Sequence, residues 1–287
     1  MKRAAIHLLV ILLATLPFAS SALDLEKLLK HKKEIKELKK ALFGFKDSEM
    51  IQLGDDAASH LFGAAPLVND PALQYYVNRL GRWLALHSRQ PNLPWSFGVL
   101  DDNEINAFAL PGGRILVTRG VLLRCRDESE LAGVLAHEIS HVSEKHHEPA
   151  LRKDKGFAAV VGYYDKKAEN DKEKERRLKL GKSVVEAVFI RGFDRDQEFA
   201  ADRHGVVIAA RAGYDPYGLA SFLQTLSSIS PTDNAIRLMK STHPEPKDRL
   251  NKLMQAMDGR LDKYAEQARH PDRYKTVINT HMATIQR

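Results

Sequence analysis

The segment His137-Glu138-Ile139-Ser140-His141 constrains the fold of this 287-residue chain more than any other. On an α-helix, positions i and i+4 lie about 40° apart around the axis and roughly 6 Å apart along it, so both imidazoles can reach one metal ion. Glu138 lies one position round the helix, where its carboxylate can contact a metal-bound water without binding the metal. The segment therefore predicts a zinc site on a helix, and a surface helix with two unrelated histidines is the alternative.

The neighbouring residues favour a helix with both histidines near its middle. Asp127 followed by Glu130 resembles a capping box, and apolar residues recur at helical spacing through the motif. A catalytic zinc usually has three protein ligands and one open position. The third ligand must therefore come from another part of the sequence.

His147 is one candidate for the third ligand. It lies ten residues after His137, as in the metzincin spacing, but that pattern has a glycine where this chain has Glu144. If the helix continues, His147 lies about 15 Å along the axis from His137 and cannot bind the same ion. We therefore expect His146 and His147 to be solvated residues near the helix end, where cationic character suits the helix dipole.

Glu198 is the other candidate, and we prefer it. Asp194 with Gln197 predicts the start of a second helix, on which Glu198 and Asp202 lie at i and i+4 on one face. Glu198 would bind zinc there, while Asp202 would accept the free ring N–H of a histidine ligand and fix its tautomer. An exposed acidic face that pairs with neighbouring arginines is the alternative.

Two short apolar runs, residues 95–99 and 114–118, predict a small β-sheet. The turn Pro111-Gly112-Gly113 joins the second run to residues 106–109. These four residues are Asn106, Ala107, Phe108 and Ala109. A plain hairpin packed on helices would also explain this pattern.

Together these motifs resemble a family of zinc metalloendopeptidases. The family includes the type I CAAX prenyl proteases, the HtpX-like heat-shock proteases and soluble periplasmic quality-control proteases. The resemblance covers roughly residues 50 to 255, and its pieces occur in the family's order. They are residues 106–113, 137–141 and 198–202, and then Thr242-His243-Pro244 with Arg249.

The resemblance implies a ligand set and a catalytic base. His137, His141 and Glu198 would bind one Zn²⁺ ion per chain, and Glu138 would act as the base. It also implies that the strand of residues 106–109 borders the active site as an edge strand and pairs with an extended substrate backbone.

Two downstream residues also match the family. His243 would help to position or stabilise the reacting carbonyl, and Arg249 would belong to the same surroundings. A histidine before proline favours an extended or turn conformation, and a lone loop histidine is otherwise usually solvated.

These inferences give a fold class and a set of boundaries. We expect an α+β fold: a mainly helical, zincin-type (gluzincin) metalloprotease domain with a small β-sheet whose edge strand borders the active site. The predicted boundaries are a signal peptide at 1–22, a charged amphipathic helix at 23–48, the zinc metallopeptidase domain at 49–258 and a helical C-terminal tail at 259–287.

The amino terminus predicts the compartment. Lys2 and Arg3 precede an apolar run that ends near Phe18, and the small residues Ser20-Ser21-Ala22 follow. This pattern predicts a cleavable secretory signal and a periplasmic protein that is soluble or peripheral to the membrane. No later stretch approaches about 18 apolar residues.

Charge and composition limit the partners. The formal net charge is +7, but the basic residues are interspersed with 37 acidic ones, which argues against nucleic-acid binding. Residues 25–42 predict an amphipathic arm that docks on the domain or touches an anionic membrane surface. Residues 165–182 form a highly charged segment between the two ligand helices, and the apolar residues 156–164 before it could gate the cleft. We expect Cys125, the only cysteine, to be a packed small side chain without a catalytic role.

The sequence therefore predicts zinc-dependent hydrolysis of peptide bonds in unfolded or misfolded envelope proteins, with envelope assembly machinery as a further partner. The alternative is a zinc-stabilised periplasmic chaperone or assembly scaffold with weak proteolysis. The intact Glu138 favours the enzyme.

Overall fold

Apolar residues at helical spacing dominate the chain, and the computed structural model is accordingly mainly helical. The structure describes residues 45–154, 173–187, 192–230 and 232–282. Among these residues, helices surround one three-stranded sheet, which confirms the predicted α+β class. The predicted signal peptide, residues 23–44 of the predicted amphipathic helix and the apolar segment 156–164 lie outside the described residues.

The elements are numbered in chain order through the described residues. The helices are α1 (Asp47–Ala64), α2 (Pro71–Ala85), α3 (Arg119–Arg124), α4 (Glu128–Ser143), α5 (His147–Lys153), α6 (Glu173–Val185), α7 (Arg195–Arg211), α8 (Gly218–Ser227), α9 (Arg237–Thr242), α10 (Pro246–Met257) and α11 (Pro271–Met282). The strands are β1 (Ser96–Leu100), β2 (Ala107–Leu110) and β3 (Arg114–Thr118).

The sheet has the order β1-β3-β2 and mixes both strand directions. β1 runs parallel to β3, and β2 runs antiparallel to it with Ala107 opposite Val117. The tight connection between β2 and β3 is a 3₁₀ turn in which Gly112 has a φ of 72°. A Cβ at Gly112 would lie 2.4 Å from the Cα of Ile51, so this turn also needs a glycine to pack on α1. In the strand order of the described residues, β2 lies at an edge of the sheet.

Helix α4 lies at the centre of the core, and all its residues are buried. Its apolar residues Leu131, Leu135 and Ile139 are fully inaccessible to solvent. Burial of each such side chain stabilises the fold by roughly 1.5–3 kcal/mol. Helices α2, α7 and α8 and strand β2 pack around α4, so a polar side chain on this helix is placed within a rigid core.

The C-terminal helix α11 also packs on this core. Tyr274 is almost fully buried and donates a hydrogen bond to the carbonyl of Leu122 (2.7 Å). Cys125 is buried beside it, and burial raises the pKa of its thiol. Within the residues that the structure describes, no helix combines the length and the hydropathy needed to cross a membrane.

Candidate metal centre

Helix α4 presents His137 and His141 on one face. The Asp127 side chain caps the helix by accepting from the Glu130 N–H (3.0 Å), while the Glu130 carboxylate accepts from the Arg126 N–H (2.8 Å). The predicted cap is present, but its reciprocal bond goes one residue further upstream. The two histidines are almost inaccessible to solvent, and their Nε2 atoms lie 3.1 Å apart.

Helix α7 places Glu198 opposite these imidazoles. Asp194 and Gln197 form the predicted capping box at its start. One oxygen of Glu198 lies 3.4 Å from Nε2 of His141, and the other lies 3.7 Å from Nε2 of His137. The three side chains thus direct two imidazole nitrogens and a carboxylate at one point.

The close approach of α7 to α4 depends on a glycine. A Cβ at Gly205 would lie 3.0 Å from the backbone nitrogen of His137, tighter than nearly all real Cβ contacts. The absence of that Cβ lets the two helices pack backbone to backbone at the level of the first histidine. This contact sets the distance between His137 and Glu198.

The geometry of His137, His141 and Glu198 fits a metal ion. Their candidate ligand atoms all lie within 4.8 Å of one another, and all three residues are buried. Glu198 Oε1 accepts no hydrogen bond from the residues that the structure describes, which is a costly state for a buried carboxylate oxygen unless a cation satisfies it. Burial, together with the neighbouring His137, holds the pKa of His141 well below its usual value, so this imidazole keeps a free lone pair.

Asp202 and Arg249 hold His137 from the other side. Asp202 Oδ1 lies 2.9 Å from Nδ1 of His137 and accepts a bond from Arg249 Nη2 at 2.6 Å. Both donors therefore share one carboxylate oxygen, and the Nδ1–H tautomer leaves Nε2 free to bind a metal. Burial by itself raises the pKa of Asp202, but the Arg249 guanidinium outweighs it and holds that pKa well below the usual range.

Glu138 lies next to the cluster without joining it. Its side chain is buried, and burial raises the pKa of its carboxyl group. It lines a cleft with Asn106, His137, His243 and Arg249. The other wall of the cleft is apolar and comprises Val134, Leu219, Phe222, Leu223, Leu226 and Met239. A carboxyl group with a raised pKa in such a cleft is suited to take up and return a proton.

His243 contacts the cluster through Glu198. It follows α9 in an extended conformation (φ −127°, ψ 154°), as expected for a residue before proline. Its Nδ1–H donates to Glu198 Oε2 at 2.6 Å, so it is not a solvated loop histidine. Burial lowers the pKa of His243, but the Glu198 carboxylate outweighs this and raises it. The bond also lowers the pKa of Glu198, whose burial acts in the opposite sense.

Asn106 and the edge strand complete the cleft. Asn106 directly precedes β2, and both polar atoms of its buried side chain lack a hydrogen-bond partner among the described residues. Ala107 follows it and also lines the cleft, whereas Phe108 and Ala109 continue the strand and do not line it. An unpaired amide in a cleft is free to bind the backbone of a ligand.

The expectation that His146 and His147 are solvated is wrong, since both are buried. Helix α4 ends in a Schellman motif, in which the N–H of His146 bonds to the carbonyl of His141 (3.0 Å). Lys145 takes the left-handed position usually held by glycine (φ 59°). The chain therefore turns back without a glycine, and His147 reaches β2 rather than solvent or the metal cluster.

A model of peptidase family M48 matches residues 71–257, a span that includes every residue of the cluster described above. The chain belongs to peptidase family M48. This finding confirms the family of metallopeptidases expected from the sequence motifs.

The relatives include bacterial proteases and a mitochondrial metalloendopeptidase. The chain is 32% identical over 204 residues to the beta-barrel assembly-enhancing protease of Escherichia coli K12, covering 70% of this chain and 42% of the relative. It is 33% identical over 210 residues to the protein of that name from Yersinia pestis, covering 71% and 43%. It is 28% identical over 178 residues to the mitochondrial metalloendopeptidase OMA1 of Schizosaccharomyces pombe, covering 62% and 51%. The chain thus spans less than half the length of the first two relatives.

One residue of this M48 site was not predicted. The ring of Phe193 stacks on His141 with 4.2 Å between the ring centroids, and it meets His147 edge-on at 5.4 Å. Phe193 precedes the cap of α7, where an apolar residue usually packs on the fifth residue after it. That residue is Glu198, so no local pattern indicates that the ring packs on His141 instead.

Proposed function

We propose that this M48 chain is a zinc-dependent metalloendopeptidase that hydrolyses peptide bonds of misfolded or envelope proteins in the periplasm. The observation that carries the proposal is the buried cluster of His137, His141 and Glu198 beside the separate carboxyl group of Glu138. Two neutral imidazoles and one carboxylate form a donor set typical of catalytic zinc. Zinc bound there would polarise a peptide carbonyl and lower the pKa of a water molecule towards ~7.

Side chains of the cleft carry out the proton transfer and stabilise the developing charge. Glu138 accepts the proton of the attacking water and passes it to the leaving amine, which its raised pKa favours. His243 faces the same cleft, and because its pKa is raised, the protonated ring donates Nδ1–H to Glu198 and has Nε2–H free to donate to the oxyanion that develops on the carbonyl. No covalent intermediate is needed.

The edge strand and Asn106 hold the substrate in this proposal. An extended peptide pairs with β2 through main-chain hydrogen bonds, which makes little demand on its sequence. The unpaired amide of Asn106 adds a donor and an acceptor for the same peptide backbone. Unfolded segments are suited to this mode of binding because their backbone is not already paired.

The compartment and the substrates are inferred from the amino terminus and from the name of one relative. The predicted signal peptide at 1–22 favours the periplasm, and the name of the Escherichia coli relative associates that protein with β-barrel assembly. We propose from these facts that unfolded envelope proteins are substrates and that the chain acts near the assembly machinery or the membrane surface.

A Glu138→Gln variant tests the enzyme against the scaffold alternative. Since Glu138 is a base rather than a ligand, the variant should bind one zinc per chain and cleave unfolded casein at least roughly 10²-fold more slowly than wild type. Zinc content is measured by metal analysis and cleavage by gel electrophoresis, and wild type with a zinc chelator is the matched control. Casein cleavage by Glu138→Gln at the wild-type rate would overturn the mechanism.

A further inference from the structure

The backbone of β2 has one face turned away from its partner strand. The carbonyl of Asn106 accepts from the N–H of Thr118 (3.0 Å), so this residue pair is hydrogen-bonded. In an antiparallel ladder, the residues that bond to the partner strand alternate. Phe108 therefore also bonds to β3, and Ala107 and Ala109 direct their N–H and C=O groups to the open edge.

The outward carbonyl of Ala109 already accepts a hydrogen bond. His147 Nε2–H donates to it at 2.6 Å, and the imidazole occupies the place where the N–H of an added strand would lie. His147 is held there from two sides, because it begins helix α5 and Phe193 packs against its ring. Its side chain is almost fully buried, so the contact is part of the core.

The outward N–H and C=O groups of Ala107 have no such partner among the described residues. Ala107 lines the cleft beside His137 and Glu138. The edge of β2 can therefore form main-chain hydrogen bonds with a ligand at Ala107, next to His137 and Glu138. At Ala109, two residues further along, His147 already bonds to the carbonyl.

We propose that His147 ends the backbone ladder of a bound substrate, so that an extended peptide pairs with Ala107 and finds no acceptor at Ala109. The inference rests on the proposed function and adds to it a limit on substrate length. One substrate residue exchanges both main-chain hydrogen bonds with β2, and the N–H of the residue two positions beyond it finds no acceptor on β2. Short extended segments then bind as well as long ones, which suits cleavage at brief exposed stretches of a misfolded protein.

Backbone N-methylation of a substrate peptide tests this limit. The probe is a peptide of about ten residues that the purified zinc-loaded chain cleaves, prepared as a series with one N-methylated amide at each position away from the scissile bond. Removal of one paired N–H should lower kcat/KM by about 2- to 10-fold. Wild type should show one sensitive position, where the peptide pairs with Ala107.

Two variants of His147 make the test specific. His147→Leu removes the donor while keeping bulk in the core, and it should create a second sensitive position two residues from the first. His147→Gln keeps a side-chain N–H for Ala109 and should reproduce the wild-type pattern. Circular dichroism and zinc analysis establish that each variant is folded and loaded.

The outcomes separate the inference from the proposed function. If the wild-type protein shows two sensitive positions spaced by two residues, the proposed role of His147 is wrong, but the proposed peptidase activity is not contradicted. This measurement needs no variant. A folded, zinc-loaded His147→Leu protein with the wild-type pattern would also contradict the role. If wild type cleaves no peptide or protein at all, both proposals fall.

Discussion

At the scale of single residues, the metal centre depends on which nitrogen or oxygen atom of each side chain remains available to a metal ion or a substrate. Asp202 takes Nδ1–H of His137, and His243 takes one oxygen of Glu198, so each neighbour leaves the opposite atom for metal or substrate. His243 serves the reaction from this position only if its Nε2 meets the developing oxyanion. Its bond to Glu198 already excludes the simpler view of a solvated loop residue.

His243→Ala should therefore lower kcat by roughly 10²-fold or more, with KM and zinc content at saturating zinc little changed. Steady-state kinetics and metal analysis measure both quantities. His204→Ala is the matched control, since this histidine lies on α7 with 38% of its side chain exposed. A wild-type kcat in His243→Ala would show that the imidazole does not touch the transition state, whereas a rise in kcat would mean that it restrains Glu198 in the resting enzyme.

At the scale of elements, the ligands depend on how closely two helices pack. Gly205 brings α7 against the backbone of His137, and a larger residue there must push the helices apart. Gly205→Val should destabilise the protein by about 1–3 kcal/mol through overpacking, and it should also weaken zinc binding because Glu198 moves with its helix.

Urea unfolding and zinc titration of Gly205→Val measure these two effects. Gly63→Ala on α1 is the control, because a Cβ at that residue meets no atom within 4 Å and alanine favours a helix. Normal zinc affinity in a destabilised Gly205→Val protein would separate helix packing from the metal site and contradict the prediction.

At the scale of the whole molecule, one carboxylate joins distant parts of the chain. Glu128 at the start of α4 accepts from the hydroxyls of Tyr76 and Tyr214, each at 2.7 Å, and pairs with Arg273 on α11. Burial raises the pKa of Glu128, but the bonds from Arg273 and the two tyrosines outweigh it and lower that pKa below the ordinary value of 4.5. The ionised form is therefore the one that stabilises the fold. This stabilisation is complete above pH 4.5 and is lost as the pH falls through the folded-state pKa.

Glu128→Gln should thus be less stable than wild type at pH 7, by about 1–3 kcal/mol, and the difference should shrink as the pH falls below 4.5. Urea unfolding of the zinc-free proteins at several pH values checks this. Glu104→Gln, which removes an exposed partner of Arg237, is the control and should change little at any pH. If the free energies of unfolding of Glu128→Gln and wild type differ by the same amount at every pH, the charge of Glu128 is not the cause of the difference.

The sequence was most informative where one helix carries all the relevant residues. The spacing of His137 and His141 determines that both face one point, and the same holds for Glu198 and Asp202 on α7. Strand β2 and its turn were likewise evident from a short apolar run and the glycines that follow it.

Contacts between elements were predictable only through the family resemblance or not at all. His147 was misplaced because Lys145 adopts a left-handed conformation that is uncommon for residues other than glycine, so the sequence does not indicate the turn. Phe193 was missed because its partner His141 lies 52 residues earlier, and no local pattern connects them. The charged pair of Asp202 and Arg249 is separated in the same way, by helices α8 and α9 and their loops, which sequence periodicity cannot orient.

The junction at Glu128 also bears on the order in which the molecule is completed. Its partners lie 52 residues before it and 86 and 145 residues after it. During synthesis, Tyr76 is available at once, but Arg273 emerges only 145 residues after Glu128. Until then the Glu128 carboxylate lacks the guanidinium of Arg273. Closing a loop of 145 residues is slow. We therefore expect the core around α4 to reach its final state only after helix α11 has docked.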